Sequence, residues 1–168
     1  MGGFIFTAIT GTLLHFLFDW TGGNVAVALF SAVNESIWEH LKLLFYPMIT
    51  VALVQYFLWG KEIDSFWCIK LIGILIGLIL IPVVYYSYNG ILGVNADWLN
   101  ITLFFIAAAV VFWVETKLFQ REFACKIGPK LAVVIICLIA IVFTVLTFYP
   151  PHIPLFQDPM TKTYGFQK

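Results

Sequence analysis

Apolar residues in this chain come in long, almost unbroken runs, and polar residues gather in the gaps between them. Runs of this length fit membrane spans better than the short alternating patterns of a soluble fold. Five spans are predicted, at about 4–19, 35–59, 66–87, 98–117 and 131–149. The first is short, since its apolar run Phe4 to Phe18 covers only about 22 Å at 1.5 Å per residue. Residues 25–33 are apolar but too few to cross a bilayer, so they read as a re-entrant or interfacial piece. Pro47 predicts a kink in the second span. Turn and interface signals separate the runs: Trp20 with Thr21-Gly22-Gly23-Asn24, Gly60 to Asp64, the tyrosines 85, 86 and 88 with Asn89-Gly90, and Asn95 to Trp98. Asn34 or Ser31 is the expected cap of the second span. The prolines at 150, 151, 154 and 159 exclude an α-helix and predict an extended tail over 150–168. The fold class is therefore an all-α, polytopic transmembrane helical bundle forming one domain over residues 1–168, with about five spans, a short re-entrant segment and an extended C-terminal tail.

Composition strengthens this reading. The 168 residues are 62% hydrophobic and 11% charged, and the mean hydropathy is +0.99. Membrane lipid is the expected partner. Nine basic and nine acidic residues leave no net charge and no basic patch, so a nucleic-acid partner is not expected. Cys68, Cys125 and Cys137 show neither metal-like nor redox-like spacing, and no disulfide framework is expected. The N-terminus lacks the basic region of a cleavable signal, and Phe6 stands where a myristoylation motif needs Ser or Thr, so the first run reads as a retained helix. Lys61, Lys70, Lys117, Arg121, Lys126 and Lys130 fall at one end of the bundle, against Lys162 and Lys168 at the other. This bias predicts a multi-pass cell-membrane protein with a cytoplasmic N-terminus and an external C-terminus.

The densest chemistry is Asn34-Glu35-Ser36-Ile37-Trp38-Glu39-His40-Leu41-Lys42. If the helix runs through Glu35, then Glu35, Glu39, Lys42 and Tyr46 share an arc of about 60°, and Ser36 and His40 form a second pair about 100° away. The topology brings His15 and Asp19, at the end of the first span, and His152 and Asp158, in the tail, to the same face. Three readings fit. Glu35, Glu39 and Lys42 form a structural ion-pair ladder at a helix start; or the acids and histidines bind a divalent metal, zinc or iron, because imidazole and carboxylate are its usual ligands; or the group is a metal-free acid–base or proton-relay site. His15 has a simpler alternative as a core histidine bonded to Asp19, and Asp158-Pro159 one as a turn. Glu115 beside Lys117 reads as an interfacial pair outside the site.

His15-Phe-Leu-Phe-Asp19-Trp20, Asn34-Glu35-Ser36-Ile-Trp38-Glu39-His40-Leu-Lys42 and Pro151-His152-Ile-Pro154-Leu-Phe-Gln-Asp158-Pro159 together resemble a family of small bacterial integral membrane proteins catalogued as a domain of unknown function. That resemblance implies the membrane class and no activity. A looser likeness is to the membrane hydrolases that include alkaline ceramidases and adiponectin-type receptors, where Ser, Asp and three His surround zinc. This chain departs from them in its span number and in lacking a late His-x-x-x-His, so no residue role is carried over.

The leading expectation is a metal-dependent hydrolase acting on a lipid or another small amphiphile. His15, His40 and His152 with Glu39 or Glu35 would hold the metal, the remaining glutamate would be the general base, and Lys42 would stabilise developing charge. Asp19, Asn34, Ser36, Tyr46 and Asp158 complete the expected polar site. The rivals are a small ion-coupled transporter using the Glu35/Glu39/Lys42 stripe and a non-catalytic membrane scaffold.

Overall fold

A computed structural model describes residues 1–93 and 96–167, and Asn95 and Lys168 fall outside them. Six α-helices follow one another: α1 (Gly2–Trp20), α2 (Val25–Ala28), α3 (Ile37–Leu58), α4 (Phe66–Leu92), α5 (Asp97–Gln120) and α6 (Pro129–Phe148). Five of them, all but the four-residue α2, are long and apolar enough to cross a membrane. Large apolar side chains such as Ile9, Leu58, Ile79, Trp113 and Ile141 stay exposed on their outer faces, as lipid contact requires. The bundle has the expected all-helical, multi-span class. Helix α4 packs against α3, α5 and α6, while α1 lies on α3 and α5.

Several helix ends differ from expectation, and two of them have a local reason. Helix α3 starts at Ile37 instead of Glu35, because Ser36 is its cap: its Oγ accepts from the Glu39 N–H at 3.3 Å. Asn34, one of the expected caps, instead holds the Ser36 N–H through its Oδ1 at 2.9 Å. Helix α4 runs past Asn89-Gly90 to Leu92 and stops where Gly93, at φ +65°, supplies a left-handed cap. The tail is more compact than an extended segment. It forms a 3₁₀ turn at Pro154–Phe156 and an isolated bridge between Gln157 and Tyr164. Phe156 is buried with its ring centroid 4.7 Å from that of Trp38.

The segment between α1 and α3 folds back into the bundle. Ser31 is fully buried, donates to the Leu14 carbonyl and accepts from the Phe18 N–H, which pins the segment along α1. Ala28, also fully buried, turns its carbonyl toward Lys42 on α3 at 2.9 Å.

Lys42 sits at the centre of the strongest polar network. Its ammonium donates to Glu39 at 2.5 Å, to the Ala28 carbonyl at 2.9 Å and to Thr147 Oγ1 at 3.0 Å, which uses all three of its protons. Glu39 accepts from Lys42, from the Thr147 hydroxyl at 2.9 Å and from the Val33 N–H at 3.2 Å. The Thr147 carbonyl in turn accepts the Phe166 N–H at 2.8 Å. The ion pair thus fastens α3, α6, the re-entrant segment and the tail.

The opposite end holds two features that sequence reading misplaced. Glu115 pairs with Lys70 of α4 at 2.5 Å, not with its neighbour Lys117. The Lys70 ammonium lies 5.5–5.9 Å from the centroids of Phe66, Phe112 and Phe119, so aromatic faces surround the buried charge. Cys68 and Cys125, expected to be unpaired, form a disulfide between the start of α4 and the α5–α6 connection. The helical bundle closes a sequence separation of 57 residues that spacing alone does not reveal.

Helix α1 approaches α3 at backbone distance. A Cβ on Gly11 would lie 2.5 Å from the Leu43 carbonyl oxygen, so only glycine fits there. Leu43 stands four residues before Pro47, whose missing N–H releases that carbonyl from the helix ladder.

Because each charge of the buried pair is satisfied only by the other and its neighbours, Lys42→Met is expected to destabilise the bundle by roughly 3–5 kcal/mol. The double variant Glu39→Met/Lys42→Met should recover part of that loss. Thermal unfolding of the three purified proteins in detergent measures both effects.

Candidate functional site

The sharp turn at Asn34–Ser36 determines where the candidate ligands go. Since α3 begins only at Ile37, Glu35 is not part of the helical stripe that carries Glu39 and Lys42. Its side chain reaches over the helix start toward His40 instead, and α1 supplies His15 from the other side. Glu35 Oε2 lies 3.4 Å from His40 Nε2 and 3.9 Å from His15 Nε2. One ligand atom from each of the three residues falls within 4.8 Å of the others, and this is the metal-capable group found among the described residues.

The two imidazoles are held differently. His15 stacks on Phe16 with ring centroids 4.9 Å apart and meets the His40 ring edge-on at 5.1 Å. His40 Nδ1 is 2.9 Å from the Ser36 carbonyl, an acceptor, and therefore carries a proton. Nε2 then faces the Glu35 carboxylate. In the neutral ring this would set a lone pair against an anionic oxygen, so a positive centre, either a proton or a metal ion, belongs between them. The side chains of His15, Glu35 and His40 are 30%, 44% and 25% exposed, so water reaches the group.

Electrostatics favour an ionised Glu35. The bond to His40 holds its carboxyl below the usual glutamate range, burial opposes this, and the charges of His40 and then His15 add to the lowering. Asp158 is also held low. Burial works against its ionisation but is outweighed by the N–H groups of Thr161, Met160 and Glu35, the last at 3.3 Å.

The expected site residues divide into three groups. His15 and His40 come together with a carboxylate, but that carboxylate is Glu35 and not Glu39. Glu39 and Lys42 are 1% and 0% exposed and bound to one another in the network above. His152 is exposed on the tail, with its ring 4.7 Å from that of Tyr164, and is not in the metal-capable group. Ser36 caps α3 and orients His40 through its carbonyl. Asn34 ties the turn to the tail through Nδ2 and the Gly165 carbonyl at 3.1 Å. Asp158 closes a turn on Met160 and Thr161 and also holds the Glu35 backbone. Tyr46 packs between Phe30 and Phe143, and Asp19 is exposed at the end of α1. Thr147 was not anticipated, because a threonine in an apolar helix carries no signal of its own.

The lowered Glu35 pKa fixes the sign of a pH effect. Its stabilising contribution is fully present above the ordinary value of 4.5 and is lost as pH falls through the lower folded-state value. Glu35→Gln should therefore show a shallower acid-side loss of thermal stability than the parent, measured by melting between about pH 6 and about pH 3.

No curated protein and no solved structure matches the chain. Over residues 3–166, nearly its whole length, the sequence matches a family described as being of unknown function, DUF6512, and the chain belongs to that family.

Proposed function

We propose that His15, Glu35 and His40 bind a divalent metal, zinc or iron, and that the protein is a membrane-embedded hydrolase acting on a lipid or another amphiphile. The observation that carries this reading is the fixed His40 tautomer, which directs Nε2 at Glu35 Oε2 3.4 Å away. Two ligands at 2.0–2.1 Å from a tetrahedral ion are about 3.3 Å apart, so this pair already has the required separation. A metal-bound histidine commonly donates its other ring proton to a backbone carbonyl, as His40 does to Ser36. Two histidines and a glutamate also form a donor set typical of catalytic zinc, with a fourth position left for water. A divalent ion held there would act as a Lewis acid toward water and substrate. In this reading Glu35 is a ligand, while Glu39 and Lys42 hold the frame on which the ligands stand.

The transport reading draws on the Lys70–Glu115 pair, a second buried charge at the opposite end. Leu44, Leu71, Ile74 and Val111 belong to one buried apolar cluster, which argues against a polar path across the bundle.

The excess of basic residues at the disulfide end supports a cytoplasmic N-terminus and an external C-terminus. The Cys68–Cys125 disulfide at that end is the opposing observation, since disulfides persist mainly in oxidising compartments.

Metal analysis of protein purified without chelator should find about one zinc or iron per chain. His40→Ala and Glu35→Ala should lose it while Lys162→Ala retains it, and folded wild-type protein free of metal would refute the site. Orientation is checked by Lys162→Cys in a Cys137→Ser background, which should react with an impermeant maleimide added outside whole cells.

A further inference from the structure

At the basic end of the bundle, charge and covalent chemistry disagree only if the Cys68–Cys125 bond is permanent. Lys61, Lys117, Arg121, Lys126 and Lys130 gather there, as on a cytoplasmic face. In cytosolic surroundings a disulfide is as a rule transient and redox-sensing, because dithiols return it to thiols.

The bond holds the segment between α5 and α6. Cys68 lies on the first turn of α4 and is fully buried, whereas Cys125 lies in the connection and is partly exposed. The Phe123 N–H closes the end of α5 on the Leu118 carbonyl. Beyond it, among the described residues, no hydrogen bond or ion pair ties 124–127 to another element, and Ile127 packs on the apolar core. Glu122, just before, sits at φ +47°, a left-handed conformation that a side chain disfavours. Fastening the connection thus falls to the disulfide and to Ile127, over a turn that gains by relaxing.

The helices have a separate clasp. Lys70 of α4 pairs with Glu115 of α5, and a Cβ on Gly73 would lie 2.5 Å from Glu115 Oε1, so α4 meets this side chain at backbone distance. When the bond opens, α4 and α5 stay joined and the connection comes free.

Given the orientation proposed above, we propose that Cys68–Cys125 is a reversible latch, opened by a cytoplasmic dithiol, that controls the release of residues 121–128. A thiolate of the dithiol attacks Sγ of Cys125, the partly exposed partner. The S–S bond breaks, and its electron pair leaves on Cys68 Sγ, which takes up a proton. The second thiol of the reductant then attacks the mixed disulfide and frees Cys125. Two electrons and two protons pass to the protein, which gains two thiols, and the dithiol becomes a disulfide.

The test uses protein carrying Cys137→Ser, so that every thiol counted belongs to the latch. Trypsin, added to the purified protein before and after treatment with dithiothreitol, should cut after Lys126 at least about tenfold faster in the reduced form. Reoxidation should restore protection, and Cys125→Ser should be cut at the fast rate under both conditions. The reduced protein should keep a cooperative thermal melt. In growing cells quenched with acid, alkylation should find both thiols free, and treating the cells with diamide should join them. Equal cleavage in the two states, loss of the cooperative melt on reduction, or a bond that persists in growing cells would overturn the latch. Orientation is scored separately. Lys162→Cys that stays unlabelled from outside overturns the cytoplasmic assignment, whereas a bond that persists in cells where Lys162→Cys does label overturns the latch alone.

Discussion

A charged pair that cannot reach water organises this protein. Glu39 and Lys42 lie a turn apart on α3, where the surrounding protein leaves no solvent to satisfy them, and an unpaired buried charge is costly. Their remaining hydrogen-bonding capacity must therefore be met by other parts of the chain. A carbonyl and an N–H come from the re-entrant segment, and a hydroxyl comes from α6. Each partner is drawn to the pair by the cost of leaving it, which explains why a short segment that cannot span a bilayer nevertheless packs into the bundle.

The exposed group inherits its geometry from that buried one. The re-entrant segment is anchored at Ala28 and Val33, so the chain emerges from the bundle just before Glu35. From above, Asp158 grips the Glu35 N–H, and Asn34 grips the tail at Gly165. Glu35 thus sits on a turn braced from both sides, which is how a loop residue attains a fixed position. His40 gains the same precision from the Ser36 carbonyl. One polar layer supplies stability, and the layer above it carries the cluster of His15, Glu35 and His40.

Much of this was legible in the sequence. Run length located the five spans, and chain parity together with turn signals placed His15, the 34–42 stretch and the tail at one end. The details failed where one residue changed the frame. A two-residue shift in the start of α3, caused by the Ser36 cap, removed Glu35 from the helical wheel and exchanged the roles expected of Glu35 and Glu39. Lys70 was counted among the basic residues flanking a loop and Glu115 was paired with Lys117, because their true pairing depends on the α4–α5 contact, which periodicity does not encode. The Cys68–Cys125 bond was missed for the same reason. Thr147 acquires its meaning only from Glu39 and Lys42, two residues more than a hundred positions away.

The contact between Gly11 and the Leu43 carbonyl works like the fulcrum of a pair of tongs. His15 lies one turn beyond Gly11 on α1, and His40 lies about one turn beyond Leu43 on α3, so the two imidazoles are the tips of short, stiff arms meeting at that point. Their separation is governed by how closely two backbones approach, and very little by the side chains around them. Pro47, seven residues along α3 from His40, frees the carbonyl that forms the pivot. A proline far from the histidines thereby helps set the bite of the jaw.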